Sequence, residues 1–184
     1  MPEFPEILDS MKKGAAALQQ AEIPFALGGG LACWARGGPE TEHDVDFMVK
    51  PDTADAALNV LAEAGFRPDK PPENWLYKAY DGDVLIDLIF DPKGGPIDDG
   101  ILDRAEVLEV EAVRMPVMSL EDVLVTKLLA LREHEVDYDS VLEISRSLRE
   151  QIDWDDVRKR TSDSPYARAF FYLAGELEIL PSVT

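Results

Sequence analysis

Phe25-Ala-Leu-Gly-Gly-Gly-Leu-Ala-Cys-Trp34 and, soon after it, His43-Asp-Val-Asp-Phe-Met-Val49 are the stretches that decide the fold. The first joins a short apolar strand to a helix through three glycines. The second is a strand with two aspartates spaced i, i+2, and side chains at that spacing project from the same face of a strand. Asp44 and Asp46 are therefore predicted to converge on one point in front of a sheet.

A third aspartate lies inside another apolar run, Val84-Leu-Ile-Asp-Leu-Ile-Phe90. An ionised carboxylate is costly to bury without a partner, so Asp87 needs a metal ion, a positive side chain or an opening to solvent. On a strand beside Asp44 and Asp46, it would complete a cluster of three carboxylates, which suits Mg²⁺. A structural ion pair between Asp87 and an arginine is the alternative.

The three glycines, Gly28, Gly29 and Gly30, stand where a strand turns into a helix. In this geometry free backbone N–H groups and the positive end of the helix can meet a phosphate. The spacing fits neither the dinucleotide-binding pattern nor a P-loop, and a purely conformational role for the glycines is the alternative. Combined with three carboxylates, however, the turn predicts a site for a nucleoside triphosphate and Mg²⁺.

The apolar spacing predicts an α/β fold in which a small mixed sheet has helices at its back and a helical part follows. A nucleotide-binding core is expected over residues 1–118 and the helical part over residues 119–184. The predicted strands are 25–27, 45–50, 75–80, 84–90 and 107–110, with a hairpin turn at Asp81-Gly82. The predicted helices are 5–22, 31–36, 51–65, 101–105, 120–134, 138–149, 153–160 and 166–178.

The composition is that of a globular, acidic chain of 184 residues with a formal net charge of −19. This charge repels nucleic-acid phosphates at long range and does not favour RNA or DNA as a partner, whereas it would attract a cationic acceptor. An acidic surface that aids solubility is the alternative explanation. With no membrane span, no signal-peptide pattern and the single cysteine Cys33, we expect a cytoplasmic protein without a membrane partner. The sequence does not indicate the oligomeric state.

The order of these motifs resembles the DNA polymerase β superfamily of nucleotidyltransferases. Gly29-Gly-Leu-Ala32 is similar to the Gly-Gly-x-Ala of the AbiEii-type and antibiotic-modifying small nucleotidyltransferases. Met118-Ser-Leu-Glu-Asp-Val-Leu-Val-Thr-Lys-Leu-Leu-Ala-Leu-Arg132 looks like their Ser-x-Glu-Asp-Leu…Lys…Ala…Arg helix. The resemblance covers about residues 23–140.

This resemblance implies transfer of a nucleoside monophosphate from an NTP to an acceptor hydroxyl, with release of pyrophosphate. Two Mg²⁺ ions are implied when the NTP is bound. The implied catalytic residues and metal ligands are the three aspartates, Asp44, Asp46 and Asp87. The implied triphosphate-binding residues are the glycines, Gly28, Gly29 and Gly30.

Two further side chains have open roles. Lys127 lies on the apolar stripe of its helix, where its ammonium either reaches the nucleotide phosphates or snorkels at the helix edge. His43 precedes the aspartate pair and either lines an acceptor pocket or lies on the surface.

The acceptor is open as well. A small hydroxylated compound such as an aminoglycoside or a lincosamide is favoured over a tRNA end, the acceptor of toxin-like relatives. The competing class is a non-catalytic module that binds a nucleotide or a partner protein. The family's Arg ahead of the aspartate pair is replaced by Glu40 or absent, which favours this module.

Overall fold

The computed structural model of the chain describes residues 2–41 and 44–180. Its strands are β1 (Phe25–Leu27), β2 (Asp44–Val49), β3 (Arg67–Asp69), β4 (Leu76–Asp81), β5 (Val84–Ile89), β6 (Glu106–Val110) and β7 (Val113–Val117). Its helices are α1 (Phe4–Gln20), α2 (Gly29–Trp34), α3 (Ala54–Glu63), α4 (Asp99–Asp103), α5 (Leu120–Ala130), α6 (Asp139–Leu148), α7 (Trp154–Arg160) and α8 (Pro165–Glu176).

The strands form one seven-stranded sheet in the order β3-β4-β5-β2-β1-β7-β6. The sheet is mixed, because β2 runs parallel to β5 and β1 parallel to β7, while the other neighbours are antiparallel. The predicted α/β class with a mixed sheet is therefore confirmed. At the centre of the sheet, β2 lies between β1 and β5, so the glycine turn and the aspartate strands are neighbours.

Helix α1 covers the back of the central strands. It begins with Pro5 in its first turn, and the N–H of Glu3 donates to Oε2 of Glu6 at 2.8 Å, which caps its first turn. Its buried stripe meets the sheet at Gly14, where a Cβ would lie 2.9 Å from Cε2 of Phe47. Phe47 belongs to the back face of β2, so the alternate residues of that strand point to the front.

Two strands, β3 and β7, are not predicted from the sequence. Strand β3 is only three residues long, fully exposed and centred on Pro68, so it carries no alternation of apolar side chains. Strand β7 pairs with β6 across a turn at Glu111 and Ala112, both with positive φ, of 49° and 63°. Such turns usually carry Asn or Gly, and their absence removes the signal that would have predicted the hairpin.

Helix α5 ends earlier than the predicted residue 134. Leu131 is extended, with a ψ of 139°, and its buried side chain holds the chain in that direction. Nε of Arg132 then donates to Oε2 of Glu135 at 2.6 Å, which closes a turn. His134 consequently lies in this turn and not in the helix.

From Leu120 to Glu176 the chain forms helices α5 to α8 and one 3₁₀ turn at Arg149–Gln151, with an irregular stretch between α5 and α6. Helix α5 contacts α2, α6, α7 and α8, and it therefore joins α2, which follows strand β1, to the last helices. The division at residue 118 stays a prediction. In the part of the chain that the structure describes, no helix combines the length and apolarity needed to cross a membrane.

Candidate active site

Three aspartates meet at the front of the central strands. Asp46 on β2 is the register partner of Asp87 on the parallel strand β5, and Asp44 lies two residues earlier on the same face of β2. Each offers a carboxylate oxygen, and these oxygens all lie within 4.8 Å of one another. The structure thus brings together the three carboxylates that the sequence singles out.

The aspartate cluster is short of positive charge. Burial, followed by the charges of Asp44 and Asp87, raises the pKa of Asp46 to about 8. Burial also raises the pKa of Asp87, against the charge of Lys78. Oδ1 of Asp87 is buried and accepts no hydrogen bond from the described residues. An orphaned carboxylate oxygen beside two further carboxylates is a donor set that fits a hard divalent cation such as Mg²⁺.

Lys78 is a residue of this cluster that the sequence did not reveal. It lies on β4 directly opposite Asp87, and its Nζ is 3.5 Å from Oδ1 of Asp87. The partner of Asp87 among the described residues is therefore a lysine, not the arginine that the alternative supposed. At 3.5 Å the contact is an ion pair rather than a well-formed hydrogen bond, so it leaves room for another ligand.

The glycine turn packs directly against the aspartates. Gly29 has a φ of +54°, and a Cβ there would lie 1.7 Å from Oδ2 of Asp46. The N–H of Gly28 donates to the backbone oxygen of Asp46 at 2.8 Å. A Cβ on Gly30 would lie 2.9 Å from Cβ of Thr41. Close approach thus requires glycine here, and the start of α2 is held beside the carboxylates.

Lys127 on α5 is half-buried, and its charge affects groups on both β2 and α2. Burial dominates the raised pKa of Asp46, and the charge of Lys127 opposes it. Burial likewise raises the pKa of Cys33 on α2 to about 11, again with Lys127 opposing. Because its charge reaches a β2 carboxylate and an α2 thiol, Lys127 lies on the side of α5 that faces the glycine turn and the aspartates.

A second buried aspartate, Asp122, behaves in the opposite way to Asp87. Its carboxylate is 1% exposed and accepts hydrogen bonds from Ser119 at 2.8 Å, from Nε and Nη2 of Arg104 at 3.0 and 2.9 Å, and from Arg160. Burial alone would raise the pKa of Asp122, but these donors together lower it. Asp122 is therefore a satisfied structural anion, which makes the orphaned oxygen of Asp87 the exception.

His43 is outside the described residues, so its open role stays a prediction. Asp137 and Asp139 are exposed near the start of α6, and Oδ1 of Asp137 accepts from the N–H of Asp139 at 2.9 Å. This contact fits a solvated acidic turn.

Carboxylates on neighbouring central strands, beside a glycine turn that opens a helix, are the arrangement that the resemblance of the sequence to nucleotidyltransferases implies. The chain matches the model of a family described as uncharacterised nucleotidyltransferases over residues 8–178, and it belongs to this family. The resemblance to nucleotidyltransferases is confirmed at this level, and the AbiEii-type assignment stays a prediction. No curated protein matches the chain.

Several solved structures share the fold. The solution structure of the antibiotic-resistance factor ANT(2'')-Ia has a TM-score of 0.67 at 16% identity, covering 96% of this chain and 98% of that one. The crystal structure of ANT(2'')-Ia with adenylyl-2''-tobramycin has a TM-score of 0.54 at 15% identity, covering 93% and 96%. A Thermotoga maritima protein described as a nucleotidyltransferase candidate has a TM-score of 0.53 at 16% identity, covering 65% and 81%. At these identities the likeness shows the fold alone.

Proposed function

We propose that this chain is a Mg²⁺-dependent nucleotidyltransferase that moves a nucleoside monophosphate from an NTP to an acceptor hydroxyl and releases pyrophosphate. The observation that carries the proposal is the aspartate cluster, whose carboxylate oxygens lie within 4.8 Å of one another. Family membership supports nucleotidyl transfer in general. The buried oxygen of Asp87, which lacks a hydrogen bond, supports a metal role for the cluster.

The strand order suggests how the substrates are arranged. Across the sheet, β1 with the glycine turn, β2 with Asp46, β5 with Asp87 and β4 with Lys78 follow one another. We assign the triphosphate to the glycine side, where the N–H groups of Gly29 and Gly30 open α2 and Lys127 supplies positive charge. The acceptor hydroxyl then lies toward β5, beside Asp87.

The proposed roles of the aspartates follow from this arrangement. Asp44 and Asp46 would hold Mg²⁺, and Asp87 would complete the metal site. When bound, two Mg²⁺ ions would neutralise charge on the phosphates and lower the pKa of the acceptor hydroxyl. The hydroxyl oxygen forms a bond to the α-phosphorus as the bond to the pyrophosphate oxygen breaks, and the hydroxyl proton passes to the carboxylate of Asp87.

Calorimetry with ATP, GTP, CTP and UTP, each with and without Mg²⁺, tests the nucleotide and metal roles. We expect tight binding that needs Mg²⁺ and is lost in Asp44→Asn, because that variant removes a ligand charge from the cluster. Asp163→Asn, an exposed aspartate on the turn before α8, is the control. Metal-independent binding, or none, would instead indicate the non-catalytic module.

For the acceptor we propose a small hydroxylated molecule, because the net charge of −19 does not favour a nucleic acid. ANT(2'')-Ia, with which the chain shares its fold, is an antibiotic-resistance factor that has been crystallised with adenylyl-2''-tobramycin. Incubation with α-labelled NTPs and panels of tRNA, proteins and antibiotics tests this choice. Label on tRNA alone would contradict it.

A further inference from the structure

Lys78 is the charged group of the aspartate cluster that the proposed mechanism does not yet use. Within residues 2–41 and 44–180, it is the ion-pair partner that the structure shows for the three aspartates. Its Nζ lies 3.5 Å from Oδ1 of Asp87, the buried oxygen that accepts no hydrogen bond from the described residues. The ammonium therefore stands close to the place from which a cation would bind that oxygen.

The register of the sheet defines the side from which Lys78 approaches. Lys78 faces Asp87 across β4 and β5, while Asp46 faces Asp87 across β2 and β5. Asp87 thus lies between an ammonium and a carboxylate in one row across the sheet. Asp44 and Asp46 lie on the far side of Asp87 from the ammonium, and they are free to hold a cation without displacing it.

The ammonium is held in a way that lets it leave. The side chain of Lys78 keeps 28% of its surface exposed, and it carries the charge on a flexible four-carbon stem. The contact to Asp87 is long for a hydrogen bond, so little directed bonding is lost when the ammonium moves. A partly exposed lysine can swing into solvent without leaving a buried charge behind.

We infer that Lys78 is a positioning residue that takes the place of the second divalent cation beside Asp87 until an NTP arrives. This inference rests on the proposed function. A second dication at Asp87 has to approach the ammonium, and the repulsion between them weakens its binding. The negative charges of a bound triphosphate offset that repulsion. The nucleotide-free protein therefore binds one divalent ion tightly, and the substrate completes the metal site.

Counting Mn²⁺ ions by electron paramagnetic resonance tests the inference without a measurement of activity. Wild-type protein without nucleotide should bind one ion tightly. In Lys78→Met the second ion should bind at least about tenfold more tightly than in the wild type, the scale of a unit charge a few ångströms away. With α,β-methylene-ATP, the wild type should take up the second ion as well.

Matched variants separate the local effect from the loss of one charge. Lys70→Met removes the same charge from an exposed lysine that pairs with Asp55, so it should bind Mn²⁺ as the wild type does. Lys78→Arg keeps the charge and should, like the wild type, bind one Mn²⁺ ion tightly in the absence of nucleotide. Lys78→Gln repeats the test if the methionine variant does not fold, as judged by circular dichroism.

Two results would overturn the role of Lys78 alone. One is tight binding of two ions by nucleotide-free wild type, and the other is equal second-ion affinity in Lys78→Met and Lys70→Met. The proposed function is tested separately, by the binding of Mn²⁺ to Asp46→Asn. If this variant binds Mn²⁺ as the wild type does, the aspartates are not the metal site, and the role of Lys78 falls with them.

Discussion

Gly29 is the residue at which the phosphate-binding turn and the aspartates constrain each other most tightly. We expect Gly29→Ala to fold and to lose metal-dependent nucleotide binding. The new Cβ would stand 1.7 Å from Oδ2 of Asp46, so the carboxylate must turn away from its neighbours. Isothermal titration calorimetry, with Mg²⁺ and the NTP that the wild type binds, measures the loss of affinity.

The matched control for this substitution is Gly82→Ala. Gly82 in the β4–β5 turn has a φ of +58°, close to the +54° of Gly29, but nothing lies within 4 Å of the Cβ that it would gain. Both variants carry the same backbone strain, about 1 kcal/mol, and only one disturbs Asp46. Equal nucleotide affinity in the two variants would refute a role for the close approach.

Asp46 makes a second prediction at this scale. In EDTA at neutral pH, Asp46→Asn should melt at a higher temperature than the wild type, because the carboxyl of Asp46, with a pKa raised to about 8, must take up a proton when the chain folds, whereas Asn carries no charge in either state. A gain of about 1 kcal/mol in the free energy of unfolding is expected. The same variant should lose nucleotidyl transfer. A fall in melting temperature in EDTA would contradict the repulsion that the cluster implies.

Among the helices, α5 carries a buried carboxylate, that of Asp122, whose role is purely structural. Asp122 forms ion pairs with Arg104, which follows α4, and with Arg160 of α7. We expect Asp122→Asn to lower the free energy of unfolding by about 3 kcal/mol near neutral pH, because two guanidinium groups then lose their anion. Urea denaturation measures the difference, with Asp155→Asn on the exposed side of α7 as the control.

The same ion cluster sets a pH dependence whose sign follows from the lowered pKa of Asp122. Because the folded protein holds this carboxylate ionised below its unfolded pKa of about 3.9, the stabilisation is complete above that pH. It is lost as the pH falls through the folded pKa. The gap between wild type and Asp122→Asn should therefore be constant from about pH 5 upward and shrink below about pH 4. A constant gap down to the acid transition would contradict this role.

The elements that carry the candidate site could be predicted from the sequence, whereas their register could not. An i, i+2 pair of aspartates and an apolar strand around Asp87 suffice to expect a cluster. Lys78 required the hairpin register. With Asp81-Gly82 as the turn, Leu76 would lie opposite Asp87, but Asp81 pairs with Val84, and this brings Lys78 there. The two registers differ by two residues and place the same side chains of β4 on each face, so the alternation of apolar residues does not distinguish them.

For the whole molecule, the dominant property is a formal net charge of −19 on 184 residues. Self-repulsion of this size opposes the compact state, and salt screens it over a length of about 10 Å at 0.1 M. We expect the melting temperature to rise between low salt and about 0.2 M NaCl. Choline chloride at the same ionic strength should give the same rise. A rise with NaCl alone would indicate binding of sodium ions instead.

The two ends of the seven-stranded sheet have a consequence for how copies of the molecule meet. At one end, β3 offers three exposed residues, and Pro68 in the middle has no N–H to donate. At the other end, β6 carries Glu106 and Glu109. Short, charged or proline-bearing edges are poor templates for strand addition by another chain. Concentrated solutions should therefore resist fibril formation, although the sheet is open at both ends.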